Sequence, residues 1–202
     1  LVDSQKEAVE EVYRLLDKVD LEPERFIYRR PADLGQGEKQ AVAIARAIAT
    51  DPKFVVLDEP TSALDVSIQA KIMNILLDLQ KEYNMTYLFI THDLGLMRNI
   101  ATRVAIMYLG QFYELASTHR FFEEPLHPYT KVLLSSFPTT TEEEERLKPN
   151  IKAKGEIPSA IDPPSGCRFH TRCPYADEEC RNKHPELVEA REGHYVACHK
   201  IE

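Results

Sequence analysis

With 202 residues, 43% of them apolar and 29% charged, the chain has material for one domain or two small ones around a real core. A formal net charge of -8 and the lack of an extended Lys/Arg stripe argue against a general nucleic-acid binder. No run approaches the roughly 18 apolar residues of a membrane-spanning helix and no signal peptide precedes the first helix, so a soluble cytoplasmic protein is the expectation.

Residues 5 to 18 place Val9, Val12, Tyr13, Leu15 and Leu16 at helical spacing among Glu and Lys, the pattern of an amphipathic surface helix. Pro23 and Pro31 bracket a turn or short linker with Arg29 and Arg30 exposed. From Gly37 to Thr50 the apolar repeats at Val42, Ile44, Ala45 and Ile48, stopped by Asp51 and Pro52, predict a largely buried helix. Phe54 to Leu57 read as a central strand buried on both faces. Val66 to Glu82 carries Ile68, Ile72, Ile75, Leu76 and Leu79 on one helical face, and Thr86 to Ile90 is a short apolar strand. Leu94 to Asn99 begins a helix, and strands near 104–108 and 112–115 turn at Gly110 and Gln111.

The remainder is richer in proline. Phe121 to Leu134 is expected to form short helices broken at Pro125 and Pro128, and residues 139–145 (TTTEEEE) a solvated connector. Beyond Pro163 a small cysteine-tethered fold is expected. No internal repeat is present.

The chemistry centres on Asp58 and Glu59, adjacent carboxylates at the carboxyl end of a strand, where open α/β sheets place their ligands. One carboxylate can hold a water of Mg²⁺ while the other orients a water that attacks a phosphoanhydride. His92 ends the neighbouring strand and reaches the same sheet edge. No G-x-x-x-x-G-K-[ST] phosphate loop occurs in the 202 residues, which suggests a carboxyl-terminal portion, a fragment or a degenerate subunit. The cysteines, Cys167, Cys173, Cys180 and Cys198, follow C-x5-C-x6-C-x17-C, too open for a zinc ribbon. A metal–sulfur centre, zinc with Cys3His sets drawing on His170, His184, His194 or His199, and free or disulfide-linked thiols are the alternatives.

The segments PADLGQGEKQ (31–40), AIARA (43–47), LDEPTSALD (57–65) and ITHD (90–93) resemble, in order and spacing, the second half of an ABC-transporter nucleotide-binding domain. LHPYT at 126–130 and the cysteine tail resemble the ATPase subunits of dipeptide and oligopeptide importers. The resemblance implies an α/β fold, the carboxyl-terminal portion of a RecA-like P-loop ABC domain lacking its Walker A half, plus a small cysteine-ligated irregular tail. Its parts would be helical subdomain over 1–40, RecA-like core over 41–118, short helices and linker over 119–162, and a metal- or cluster-binding tail over 163–202.

It also implies roles. Asp58 would bind Mg²⁺ through water, Glu59 would be the catalytic carboxylate, His92 would contact the γ-phosphate, and Asp65 would sit at a dimer interface. Leu34, Gly35, Gln36, Gly37 and Glu38 would be the signature loop facing a partner's ATP. Gly35 lacks the family's hydroxyl, Gln36 stands where glycine allows close approach, and Ala41 replaces an arginine, so a weak half-site is expected. The implied cofactors are ATP, Mg²⁺ and a [4Fe-4S] cluster on the four cysteines, with zinc as its rival. The implied partners are a second ABC ATPase subunit, membrane permease subunits and, indirectly, an external solute-binding protein, with no nucleic acid, at the cytoplasmic face of the membrane. As an isolated chain it is expected to be inactive in ATP hydrolysis. A non-hydrolysing accessory or truncated subunit, and a soluble ABC-type ATPase outside transport, are the alternative functions.

Overall fold

The computed structural model describes residues 4–138, 146 and 148–201; the 139–145 connector lies outside them. The chain divides into two compact units, residues 1–92 and 93–202.

In the first unit, α1 (Gln5–Lys18) is capped by Ser4, whose hydroxyl accepts from the Glu7 amide. Leu15 and Leu16 face inward, and Lys18 at the last turn suits the helix dipole. A short α2 (Pro23–Phe26) and a 3₁₀ turn (Pro31–Asp33) follow. Helix α3 (Gln36–Ile48) buries Ala41, Ile44, Ala45 and Ile48 and packs on α1 and α4 (Val66–Tyr83). Asp65 caps α4 from its N-terminus, and Asn84 ends it in the left-handed conformation that Asn tolerates.

Strands β1 (Phe54–Asp58) and β2 (Thr86–Ile90) pair in parallel, from Phe54 opposite Thr86 to Asp58 opposite Ile90. The expectation of burial on both faces is corrected. Phe54, Val56, Leu88 and Ile90 are exposed, because period-2 alternation turns only one face of this two-stranded sheet toward the helices.

The second unit begins with α5 (Leu94–Ile100), capped by Asp93. Strands β3 (Arg103–Tyr108) and β4 (Gln111–Ser117) form the expected hairpin, with Leu109 and Gly110 both at positive φ in its turn. Helices α6 (Thr118–Glu123) and α7 (Pro128–Ser135) are separated at the two prolines. After α8 (Glu178–Asn182), β5 (Val188–Arg191) and β6 (His194–Val196) add to the hairpin as an antiparallel sheet of order β3-β4-β6-β5.

That topology corrects the cysteine-ligated tail. Among the described residues, no group of three or more His, Cys, Asp and Glu side chains could hold a metal ion. The tail is instead fastened by β6 on β4 and by aromatic packing. Phe169 is fully buried, with ring centroids 5.5 Å from Tyr108 and 5.2 Å from Tyr129. Cys167 and Cys180 pack in the same cluster. Burial pushes all four thiols up, Cys198 to about 11. Three of the proposed zinc histidines have other partners: His194 Nε2 is 2.7 Å from Glu114, and His170 and His199 ring nitrogens lie 2.9 Å from the carbonyls of Cys167 and Lys183. The [4Fe-4S], zinc and metal-binding assignments for Cys167, Cys173, Cys180 and Cys198 are therefore withdrawn.

Candidate functional site

The parallel register of β1 and β2 brings their carboxyl ends side by side, and the placement of the candidate carboxylates follows from that register. Asp58 is exposed on the last residue of β1. The Glu59 amide donates to the Ile90 carbonyl at 2.9 Å, carrying the ladder one residue past the strand. Glu59 then turns at φ 46°, a left-handed conformation uncommon for a residue with a long side chain. Ser62 holds that turn, its hydroxyl donating to the Glu59 carbonyl at 3.1 Å. Pro60 and Thr61 are buried beneath it.

The turn aims the Glu59 side chain across the sheet edge. Its Oε1 lies 2.9 Å from His92 Nδ1, two residues beyond β2. The histidine side chain is 78% exposed and the glutamate 38%, so the pair faces solvent and can meet a ligand. A carboxylate that orients an imidazole can also orient a water, which is the arrangement that attack on a phosphoanhydride requires.

Asp65 stands apart at the start of α4. Its Oδ1 accepts from the Ser67 hydroxyl at 2.6 Å and the Ile68 amide at 3.1 Å, and these bonds hold its carboxyl below the usual range. Gln69 Nε2 donates to the Thr61 carbonyl at 3.0 Å, joining the Glu59 turn to the same helix.

Leu34 to Glu38 form the entry of α3. Glu38 Oε2 accepts from the Gly35 amide at 2.7 Å, which satisfies a donor the helix leaves orphaned. Gly37 packs against Ile68 so closely that a Cβ would stand 2.6 Å from its Cγ2. Gly35, Gly37, Glu38, Asp65, Ile68 and Lys71 border one cleft of about 550 Å³. The geometry thus brings Glu59 with His92, and the 34–38 segment with Asp65.

Sequence reasoning missed the residues that hold this arrangement, Ser62, Ser67, Ile68 and Gln69. The S-A-L-D-V-S spacing carried the signal for the cap at Asp65, since Asp before a helical period is an N-cap signature.

Comparisons with known proteins find similarity to ATP-binding cassettes. A family model described as "ABC transporter" matches residues 2–62, and one described as "Oligopeptide/dipeptide transporter, C-terminal region" matches residues 113–180. The chain is similar to the "Oligopeptide transport ATP-binding protein AppF" of Bacillus subtilis (strain 168), 48% identical over 194 residues, covering 96% of this chain and 59% of that protein. It is also 44% identical over 199 residues to the "Di/tripeptide transport ATP-binding protein DppF" of Pseudomonas aeruginosa (strain UCBPP-PA14), covering 98% of this chain and 60% of the relative. The chain thus spans about three-fifths of the length of these curated relatives. Among solved structures, the dimeric post-hydrolysis state of the ATP-binding cassette MJ0796 bound to ADP and Pi matches with a TM-score of 0.52 at 33% identity, over 58% of this chain and 50% of that one. The ADP conformation of the cassette MJ1267 matches with a TM-score of 0.53 at 26% identity, over 62% of this chain and 50% of that one.

These matches correct further expectations. The ABC transporter model matches residues 2–62, a span that includes 34–38, so a portion defined by the loss of its Walker A half, and a degenerate signature loop, are withdrawn. Where the chain starts says nothing of the protein's extent. Inactivity in ATP hydrolysis, and with it the accessory or truncated alternative, is withdrawn on the same match and on the 48% identity with AppF. The transporter match over 113–180 and the similarity to peptide-transport proteins weigh against a soluble ATPase outside transport. Among the described residues no helix is long and apolar enough to cross a membrane.

Proposed function

We propose that the chain is the ATP-binding subunit of an ABC-type importer of dipeptides or oligopeptides, in which ATP binding and hydrolysis drive solute uptake. The observation that carries this reading is the 2.9 Å approach of Glu59 to His92 at adjacent parallel strand ends, beside the exposed Asp58. The identities of 44% to 48% with peptide-transport ATP-binding proteins support the substrate class.

Asp58 and Glu59 offer hard carboxylate oxygens, the donor type Mg²⁺ takes, and Mg²⁺ bound with nucleotide uses only one or two protein carboxylates. When bound, the ion neutralises charge on the phosphates. Asp58 would hold it through a water. Glu59 would accept a proton from the attacking water, and His92 would donate a hydrogen bond to the terminal phosphate while Glu59 fixes its ring. Leu34, Gly35, Gln36, Gly37 and Glu38, with Asp65, would face a second ATPase subunit across the nucleotide. The subunit would work at the cytoplasmic face of a membrane, against permease subunits fed by a solute-binding protein.

The test is ATP turnover and equilibrium Mg-ATP binding by the protein assembled with its membrane partners. Glu59→Gln is expected to lower turnover at least about a hundredfold with binding kept within about threefold. Unchanged turnover in Glu59→Gln overturns the assignment of Glu59, and absence of nucleotide binding overturns the ATP reading itself.

A further inference from the structure

The loop ending in Asp65 and the helix entry at 34–38 are separated by more than twenty residues of sequence, yet one residue touches both, Asp65 through its backbone and Gly37 through its side chain. The Ile68 amide donates to Asp65 Oδ1 at 3.1 Å, and its Cγ2 fills the space a Cβ on Gly37 would need. Gly37 has no positive φ, so its backbone does not call for glycine. Gly37 is the second residue of α3, and in a helical backbone alanine is preferred to glycine. Close approach to Ile68 is what excludes a side chain at this position.

We propose that Ile68 is a positioning residue: wedged against Gly37 while its amide holds the Asp65 carboxylate, it makes the 34–38 segment and the Asp65 loop move as one body. The neighbouring Gln69, bonded to the Thr61 carbonyl, extends the same block to the turn that carries Glu59. The first turn of α4 therefore joins the two places where a nucleotide and a second subunit would meet this chain. This consequence for turnover rests on the function proposed above. The mechanical coupling does not.

Two measurements on the chain itself decide the coupling. In the natural background Gly37→Ala is expected to lower the urea midpoint, because the new Cβ collides with Ile68. In an Ile68→Ala background the same change is expected to raise it, since the helix preference for alanine is then unopposed. Amide exchange supplies the cross-loop readout. The Gln69 amide bonds to the Asp65 carbonyl at 2.8 Å, and the Lys39 amide to the Gly35 carbonyl at 3.0 Å. Asp65→Ala is expected to speed exchange at Gln69 in either background, but at Lys39, by roughly threefold or more, only while Ile68 is present. The same sign for Gly37→Ala in both backgrounds, or a Lys39 amide indifferent to Asp65→Ala, overturns the proposal.

In the assembled ATPase, Ile68→Ala is expected to lower kcat about tenfold with KM for ATP within about twofold. Coupling seen by exchange in a protein that turns over no ATP would sink the ATPase reading and leave the latch standing. Normal kcat in Ile68→Ala would overturn the positioning role.

Discussion

His127 is buried at the N-cap of α7, where its Nδ1 accepts from the Tyr129 amide at 3.0 Å. An imidazole that accepts there must be neutral. Burial first, and Lys131 second, depress its pKa to about 3. The unfolded chain takes up this proton near pH 6.5 and the folded chain does so only near 3, so between those values the unfolded state binds more protons. Stability from this group is complete above about pH 6.5 and is lost as pH falls toward about 3, by a few kcal/mol in all. His127→Asn keeps a capping acceptor but removes the titration. Urea midpoints across pH 3 to 7 should therefore fall less steeply in the variant. An unchanged slope would mean that the ring is already protonated when folded. Nothing in the sequence advertised this. His127 belonged to a family-like LHPYT segment, while its burial depends on Tyr113 at 4.7 Å and on Phe169, a residue of the tail.

At the scale of elements, the helices of the first unit were legible because their apolar spacing and stops are local. Ile72, Ile75, Leu76 and Leu79 are buried together on α4, as a period near 3.6 requires. At the strand ends, Glu59 meets His92 at 2.9 Å just past the last residues of two apolar runs that pair in parallel. What was not legible depends on pairing distant in sequence. Glu114 is fully buried on β4, accepts from the Leu126 and His127 amides at 2.8 Å each, and meets His194 of β6 at 2.7 Å. A charged residue in an otherwise ordinary strand gives no local sign that a loop and a hairpin will converge on it. Gly166 shows the same dependence. At φ 62° its missing Cβ would lie 2.5 Å from the Cys180 carbonyl and 2.7 Å from backbone atoms of Arg181, at the point where the chain meets α8. Backbone cannot swing aside as a side chain can. Gly166→Ala is expected to destabilise the protein by more than about 1 kcal/mol in urea unfolding, since both φ and the contact oppose it. A neutral substitution would show that the two segments are free to separate.

For the molecule as a whole, the distribution of apolar residues decides what holds each part. A tail with many prolines and all four cysteines suggested a covalent or metal tether, because few of its residues looked able to form a core. The aromatic residues were there but had to be counted with those of the hairpin. Tyr108 and Tyr113 come from β3 and β4, Tyr129 from α7, and Phe169 from the tail, and together they make one cluster with Cys167 and Cys180. The Tyr113 hydroxyl also accepts from the Arg168 amide at 2.8 Å, and Arg168 reaches the Leu109 carbonyl with its guanidinium. Phe169 is thus the keystone between the tail and the hairpin it covers. Truncating a fully buried phenylalanine costs about 3 to 5 kcal/mol in transfer and cavity terms. Phe169→Ala should remove that much by urea unfolding and should also loosen the hairpin it supports. The Ala197 amide, bonded to the Tyr113 carbonyl at 2.9 Å, reports that loosening directly. Its exchange should accelerate in Phe169→Ala, whereas exchange in β1 and β2 should not, because those strands belong to the other unit. If Ala197 stays protected and the loss is under about 1 kcal/mol, aromatic packing is not what fastens the tail.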